Sequence, residues 1–74
     1  MGIIVKDKRI GNAILRKLCK ENDVNIENVW LSEWGYIENV IREKDVDFCQ
    51  TDYKGSLYKV QYISGCFNPF IVKQ

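Results

Sequence analysis

The hydrophobic period of this chain changes once, near Val46. Before that point apolar residues recur every three or four positions; after it they alternate, and β-formers dominate. Helices first and strands afterwards is the pattern of an α+β fold. With 74 residues, a chain buries only about 60% of its unfolded surface on folding. Everything must therefore share one small core, and a single domain over residues 1–74 is expected.

Asp7 is placed to cap a first helix over 8–21, where Ile10, Ile14, Leu15 and Leu18 recur at helical spacing and Asn22 with Asp23 supplies the stop. Opposite that apolar stripe, Arg9, Arg16, Lys17 and Lys20 fall within an arc of about 100°. A second helix is predicted over 27–44, with Asn25 as its cap and Glu27 against the positive end of the helix dipole. Val29, Trp30, Trp34, Ile37, Val40 and Ile41 share one helical arc, whereas Leu31 and Gly35 fall outside it. One helix kinked at Gly35 is preferred over two short ones, with Trp30 and Trp34 in the core. The alternative role for that pair is a partner anchor at the rim of a small domain.

The last third reads as strands over 46–52, 56–63 and 66–72. A three-residue loop Tyr53-Lys54-Gly55 sets Val46, Phe48 and Gln50 opposite Tyr62, Val60 and Tyr58. A tight turn at Ser64-Gly65 sets Phe67, Pro69 and Ile71 opposite the same three residues. Both turns give the same apolar face, and Pro69 belongs on an edge strand. The β-branched run Ile3-Ile4-Val5 suits a fourth strand at a sheet edge. The fold expected is two helices on one face of a three-stranded antiparallel meander, with room for that fourth N-terminal strand.

This register leaves Leu57, Phe70, Val72 and Cys49, with Lys59 among them, on the sheet's far face. An apolar cluster rimmed by charge marks a protein interface, unless residues 3–5 cover it. Net charge is +1, yet it is segregated. Residues 1–20 are basic and 21–52 acidic, so a basic first helix faces an acidic block holding Glu27, Glu33, Glu38, Asp45 and Asp47. The competing reading is that the blocks pair with each other.

Catalysis is not expected. The chain has no histidine, which removes the commonest general base and metal ligand. Glu43, Asp45 and Asp47 read as a charged helix end rather than a metal site, and Asp52-Tyr53-Lys54 sits at a turn without an acidic partner. The glycines are scattered singly and form no phosphate-binding pattern. Cys19, Cys49 and Cys66 contain no Cys-x-x-Cys, so neither a disulfide framework nor zinc is indicated. No cofactor is implied. No apolar run suits a signal peptide or membrane span and no lipidation motif is present, so a reducing, cytoplasmic setting is expected. The richness in Ile, Lys and Asn is of the kind found in low-GC bacteria and their phages.

The leading expectation is a small non-catalytic protein-binding module, an inhibitor or adaptor acting on a protein partner or on its own copy as a homodimer. A phage-type inhibitor of a host or defence protein, working through acidic nucleic-acid mimicry, is one form of it. The alternative is a nucleic-acid-binding regulator that uses Arg9, Arg16, Lys17 and Lys20. A winged helix is disfavoured, because its recognition helix would present Glu38 and Glu43 to phosphates.

Overall fold

The computed structural model describes residues 2–39, 46 and 49–74. The first helix forms as its sequence pattern dictates. α1 spans Lys8–Glu21, and the Asp7 carboxylate caps it by accepting the N–H groups of Arg9 and Ile10 at 2.9 and 3.2 Å. The Asn22 N–H closes the last turn on the Leu18 carbonyl, and Asp23 adopts φ 57° beyond it. Ile14, Leu15, Leu18 and Cys19 are buried along one stripe, whereas Ile10, expected in it, is 43% exposed in the first turn, and Arg9, Arg16, Lys17 and Lys20 lie exposed outside it.

In place of the expected second helix, residues 29–39 form a β-hairpin. Asn25 does cap, but it caps a short 3-10 turn over Ile26–Asn28. Then β2 (Val29–Leu31) and β3 (Ile37–Asn39) pair antiparallel, with Val29 opposite Asn39, Trp30 opposite Glu38 and Leu31 opposite Ile37. Gly35 decides the matter, because it sits at φ 92°, in the left-handed region that a helix interior never uses. It ends a three-residue loop, Glu33-Trp34-Gly35, in the common geometry of a tight turn followed by a left-handed glycine. Leu31 and Trp34 exchange the places that a helix would give them. Leu31 is buried and Trp34 is 80% exposed. The continuation of the expected helix over 40–44 lies outside the described residues.

The main sheet has the order β1-β6-β5-β4 and is antiparallel throughout, with β1 (Ile3–Ile4), β4 (Gln50–Tyr53), β5 (Ser56–Tyr62) and β6 (Pro69–Lys73). The N-terminal strand is thus present at an edge, paired with β6. Two details of the register differ from the expectation. The β4–β5 turn holds two residues, Lys54 and Gly55, both with positive φ, and Tyr53 pairs with Ser56. That mirror-image turn matches the twist of the flanking strands better than a three-residue loop does. A one-residue slip swaps the faces of a strand. Thr51 rather than Gln50 therefore opposes Tyr58, and Cys49 packs against the core instead of lying on the far face. β4 begins at Gln50 rather than at 46: the Val46 carbonyl accepts from the Cys49 N–H at 3.2 Å in a turn, so Val46 does not oppose Tyr62, and Phe48 lies outside the described residues. The β5–β6 connection is longer than a tight turn and pairs Tyr62 with Pro69, Val60 with Ile71 and Tyr58 with Lys73. That shift is an even number of residues, so the faces are kept. Pro69 opens an interior strand rather than lying on an edge strand, and the first position of a strand tolerates its missing N–H.

α1 lies on the inward face of this sheet. Its buried stripe meets Val60, Ile71, Tyr58 and Val46 from one side and Val29, Leu31 and Ile37 of the small hairpin from the other. Thr51 is the one buried polar residue among those described, 3% exposed, and its hydroxyl donates to Glu21 at 2.7 Å. Beside it Lys17 pairs with Glu21 at 3.6 Å and its ammonium donates to the Asp52 carbonyl.

Gly35→Ala separates the hairpin from the helix by sign. In a helix interior alanine would stabilise by about 1 kcal/mol; at a left-handed position it should destabilise by about 1–2 kcal/mol. Urea denaturation is expected to show the loss.

Candidate functional site

The hairpin β2–β3 turns Val29, Leu31 and Ile37 into the core, and Trp30, Trp34, Tyr36 and Glu38 line one groove outside it. Ser32 organises the turn. Its N–H donates to the Tyr36 carbonyl at 2.9 Å, its carbonyl accepts from Gly35 N–H at 3.1 Å, and its hydroxyl accepts from Trp34 N–H at 3.2 Å. Trp34 is thereby fixed at the tip. Trp30, directly across from Glu38, donates its indole N–H to a Glu38 carboxylate oxygen at 2.7 Å, which holds the ring while leaving it 43% exposed.

Tyr36 joins the hairpin to the main sheet. It bridges Phe70 of β6, and the two rings meet edge to face with centroids 6.2 Å apart. The Asn68 side-chain amide donates to the Ile37 carbonyl at 3.1 Å, tying the segment before β6 to β3. On that segment Phe67 projects 96% exposed. Two recesses result, with Tyr36 as the shared wall. An open groove of about 360 Å³ runs between Lys8, Trp30, Glu33, Trp34, Tyr36 and Glu38. A second, of about 280 Å³, is lined by Tyr36, Cys66, Phe67, Asn68 and Phe70 with Gly65.

The expected interface residues are distributed differently. Leu57, Lys59 and Phe70 are half-buried on the outer sheet face, whereas Val72 is buried where β1 runs alongside it and Gly2 packs on its side chain. The Gln74 side chain closes over the same face by donating to Gln61 at 3.0 Å. Of the five, only Phe70 contributes to the recesses. Among the acidic residues, Glu33 and Glu38 border the groove and Glu27 lies exposed on the 3-10 turn before β2; Asp45 and Asp47 lie outside the described residues, as does Glu43. Along α1, Arg9, Arg16 and Lys20 are exposed, while Lys17 is held by Asp52 and Glu21.

Trp30, Trp34 and Phe67 are the site residues whose places differ from the expectation: the helical pattern puts both tryptophans in the core, and the tight turn puts Phe67 opposite Tyr62, yet all three are exposed and Tyr62 pairs with Pro69. The signals were Gly35 immediately after Trp34 and the turn-forming Ser64-Gly65 shortly before Phe67.

The thiols do not form an obvious reaction centre. Cys19 is buried and its thiol is raised from the ordinary 9.0 to about 11, first by burial and second by its neighbour Cys49; Cys66 is exposed beside the second recess. Among the described residues no helix is long and apolar enough to cross a membrane. Comparison of the chain with protein families, with characterised proteins and with solved structures finds no match. The functional reading therefore rests on this geometry.

The Cys19 shift carries a stability consequence. The unfolded thiol ionises near 9.0 and the folded one near 11, so across that window the unfolded state loses its proton first and the fold is weakened as pH rises. Relative to a Cys19→Ala variant, the wild type should lose on the order of 2 kcal/mol between pH 8 and pH 11, measured by urea denaturation at each pH. A constant difference between the two proteins would contradict the burial of that thiol.

Proposed function

We propose that this chain is a non-catalytic protein-binding module that docks through the aromatic end built by β2, β3 and the segment leading into β6. One observation carries the reading: Trp34 and Phe67, 80% and 96% exposed, each line a recess that has Tyr36 as a wall. Burying a large apolar side chain is worth about 1.5–3 kcal/mol, and exposed tryptophan beside recessed aromatics is the composition of an interface hot spot. The scaffold suits the task, because backbone hydrogen bonds hold the Trp34 turn and the Asn68 amide ties the segment next to Phe67 to β3, which lowers the cost of ordering the backbone on binding. By covering a partner's surface such a module acts as an inhibitor or an adaptor. Nucleic-acid mimicry is the weaker form of this reading, since Glu33 and Glu38 flank aromatic rings instead of forming a continuous row of charge.

Nucleic-acid binding through α1 remains the second reading, favoured by the exposure of Arg9, Arg16 and Lys20. Its footprint is reduced, because the Lys17 ammonium is engaged with the sheet edge.

The two readings separate in one experiment. Peptides selected from a random display library on the wild type should bind a Trp34→Ala/Phe67→Ala variant about tenfold or more weakly; both positions are exposed, so the variant keeps its fold. Selected peptides that bind the two proteins equally would overturn the aromatic docking surface. In parallel, fluorescence anisotropy with random duplex and single-stranded oligonucleotides at about 50 and 200 mM salt should show no binding. Salt-sensitive binding lost in Arg9→Ala/Arg16→Ala would establish the second reading instead.

A further inference from the structure

The first recess has a chemistry that narrows its occupant. Its walls are the rings of Trp30, Trp34 and Tyr36, and two carboxylates, Glu33 and Glu38, stand among them with one ammonium, Lys8. Among the described residues, the Trp30 indole N–H engages one oxygen of Glu38. Glu33 is exposed and has no ion-pair partner among the described residues. Aromatic faces carry negative quadrupoles, and the carboxylates outnumber the single lysine, so the groove as a whole favours positive charge. Among the described residues, the second recess has no charged lining.

Resting on the docking reading above, we infer that the first recess is a cation subsite that takes an arginine side chain of the protein partner. The guanidinium stacks on an indole face while its planar N–H fork meets the carboxylate oxygens of Glu38 and Glu33. The adjoining recess, with the Phe67 ring at its rim, takes a neighbouring apolar side chain. A partner segment carrying one arginine beside one apolar residue satisfies both. Bases of a single strand could stack on the same rings, but phosphates would meet two carboxylates, and the charge argues for a peptide.

Small probes test this without knowledge of the partner. The backbone and indole N–H resonances of the isotope-labelled protein are followed during titration with N-acetyl-arginine amide, and separately with N-acetyl-leucine amide. The arginine probe is expected to move the Trp30 and Trp34 indole signals. A Glu33→Gln/Glu38→Gln variant, which keeps an acceptor for the Trp30 indole, is expected to weaken that response about tenfold or more. The leucine probe is expected to move Cys66, Phe67 and Phe70 equally in both proteins. An N-acetyl-glutamate amide probe should leave the indole signals still. Arginine shifts that are absent, that persist unchanged in the double variant, or that appear instead around Glu27 would overturn the subsite. If the leucine response survives in that event, the docking surface stands and only its cation preference falls. If both probes leave the aromatic end unchanged, both readings fall.

Discussion

The buried stripe of α1 is the surface against which the two sheets are assembled. Ile14, Leu15, Leu18 and Cys19 are fully shielded from solvent, and they touch both the four-stranded sheet and the small hairpin, which share only limited contact with each other. In a chain this short there is no second helix among the described residues to form another layer. Truncating one of these leucines would remove a contact common to both sheets, and large-to-small changes at such positions cost about 2–5 kcal/mol, a large part of the stability available to a small domain. The aromatic end inherits its geometry from this arrangement, because the hairpin that carries Trp30 and Trp34 is anchored by Val29, Leu31 and Ile37 on the same stripe.

The polar side of α1 also has structural work. β4 forms the edge of the sheet, and an unpaired edge invites association with other strands. Lys17 donates to the Asp52 carbonyl on that strand while pairing with Glu21, and Glu21 accepts from Thr51. The arrangement satisfies a buried hydroxyl that would otherwise cost about 1–3 kcal/mol. It also places a lysine over the edge, a device that blunts strand addition. Lys17 of the basic first block is thus engaged with the Glu21 side chain on its own helix and with the Asp52 backbone of β4.

Most of the fold was legible. The capping aspartate, the apolar stripe of α1 and the β-rich C-terminal third follow from local patterns whose causes act within a few residues, and the N-terminal strand follows from three β-branched or apolar residues in a row. The hairpin at 29–39 was not, because exposed tryptophans counterfeit a core pattern: Trp30 and Trp34 completed a helical arc with Val29 and Ile37 although neither is buried. The two residues that did not fit the arc, Leu31 and Gly35, carried the correct message. Leu31 alternates with Val29 toward the core, and Gly35 supplies the left-handed turn. At the β4–β5 turn the difficulty was Lys54, a residue that pays about 1–2 kcal/mol to adopt positive φ and so gives no sign of a two-residue loop. Twist complementarity of the whole hairpin outweighs that local preference.

The same confusion bears on function. A residue that disguises the local structure by being apolar and exposed is, for that reason, a candidate for contact with another molecule, since sequence and fold agree best where nothing but folding constrains the choice of side chain. Trp34 sits at a turn position where a polar residue would serve the backbone equally well, and Phe67 lies on a loop where the described structure gives it almost no shelter. Neither side chain stabilises the core. Each shares a recess with Tyr36, a ring that is itself only half-buried. A small chain with little apolar area to spare has placed two of its largest apolar side chains outside its own core. On the proposed docking role, a partner surface that covers both rings would recover that hydrophobic free energy.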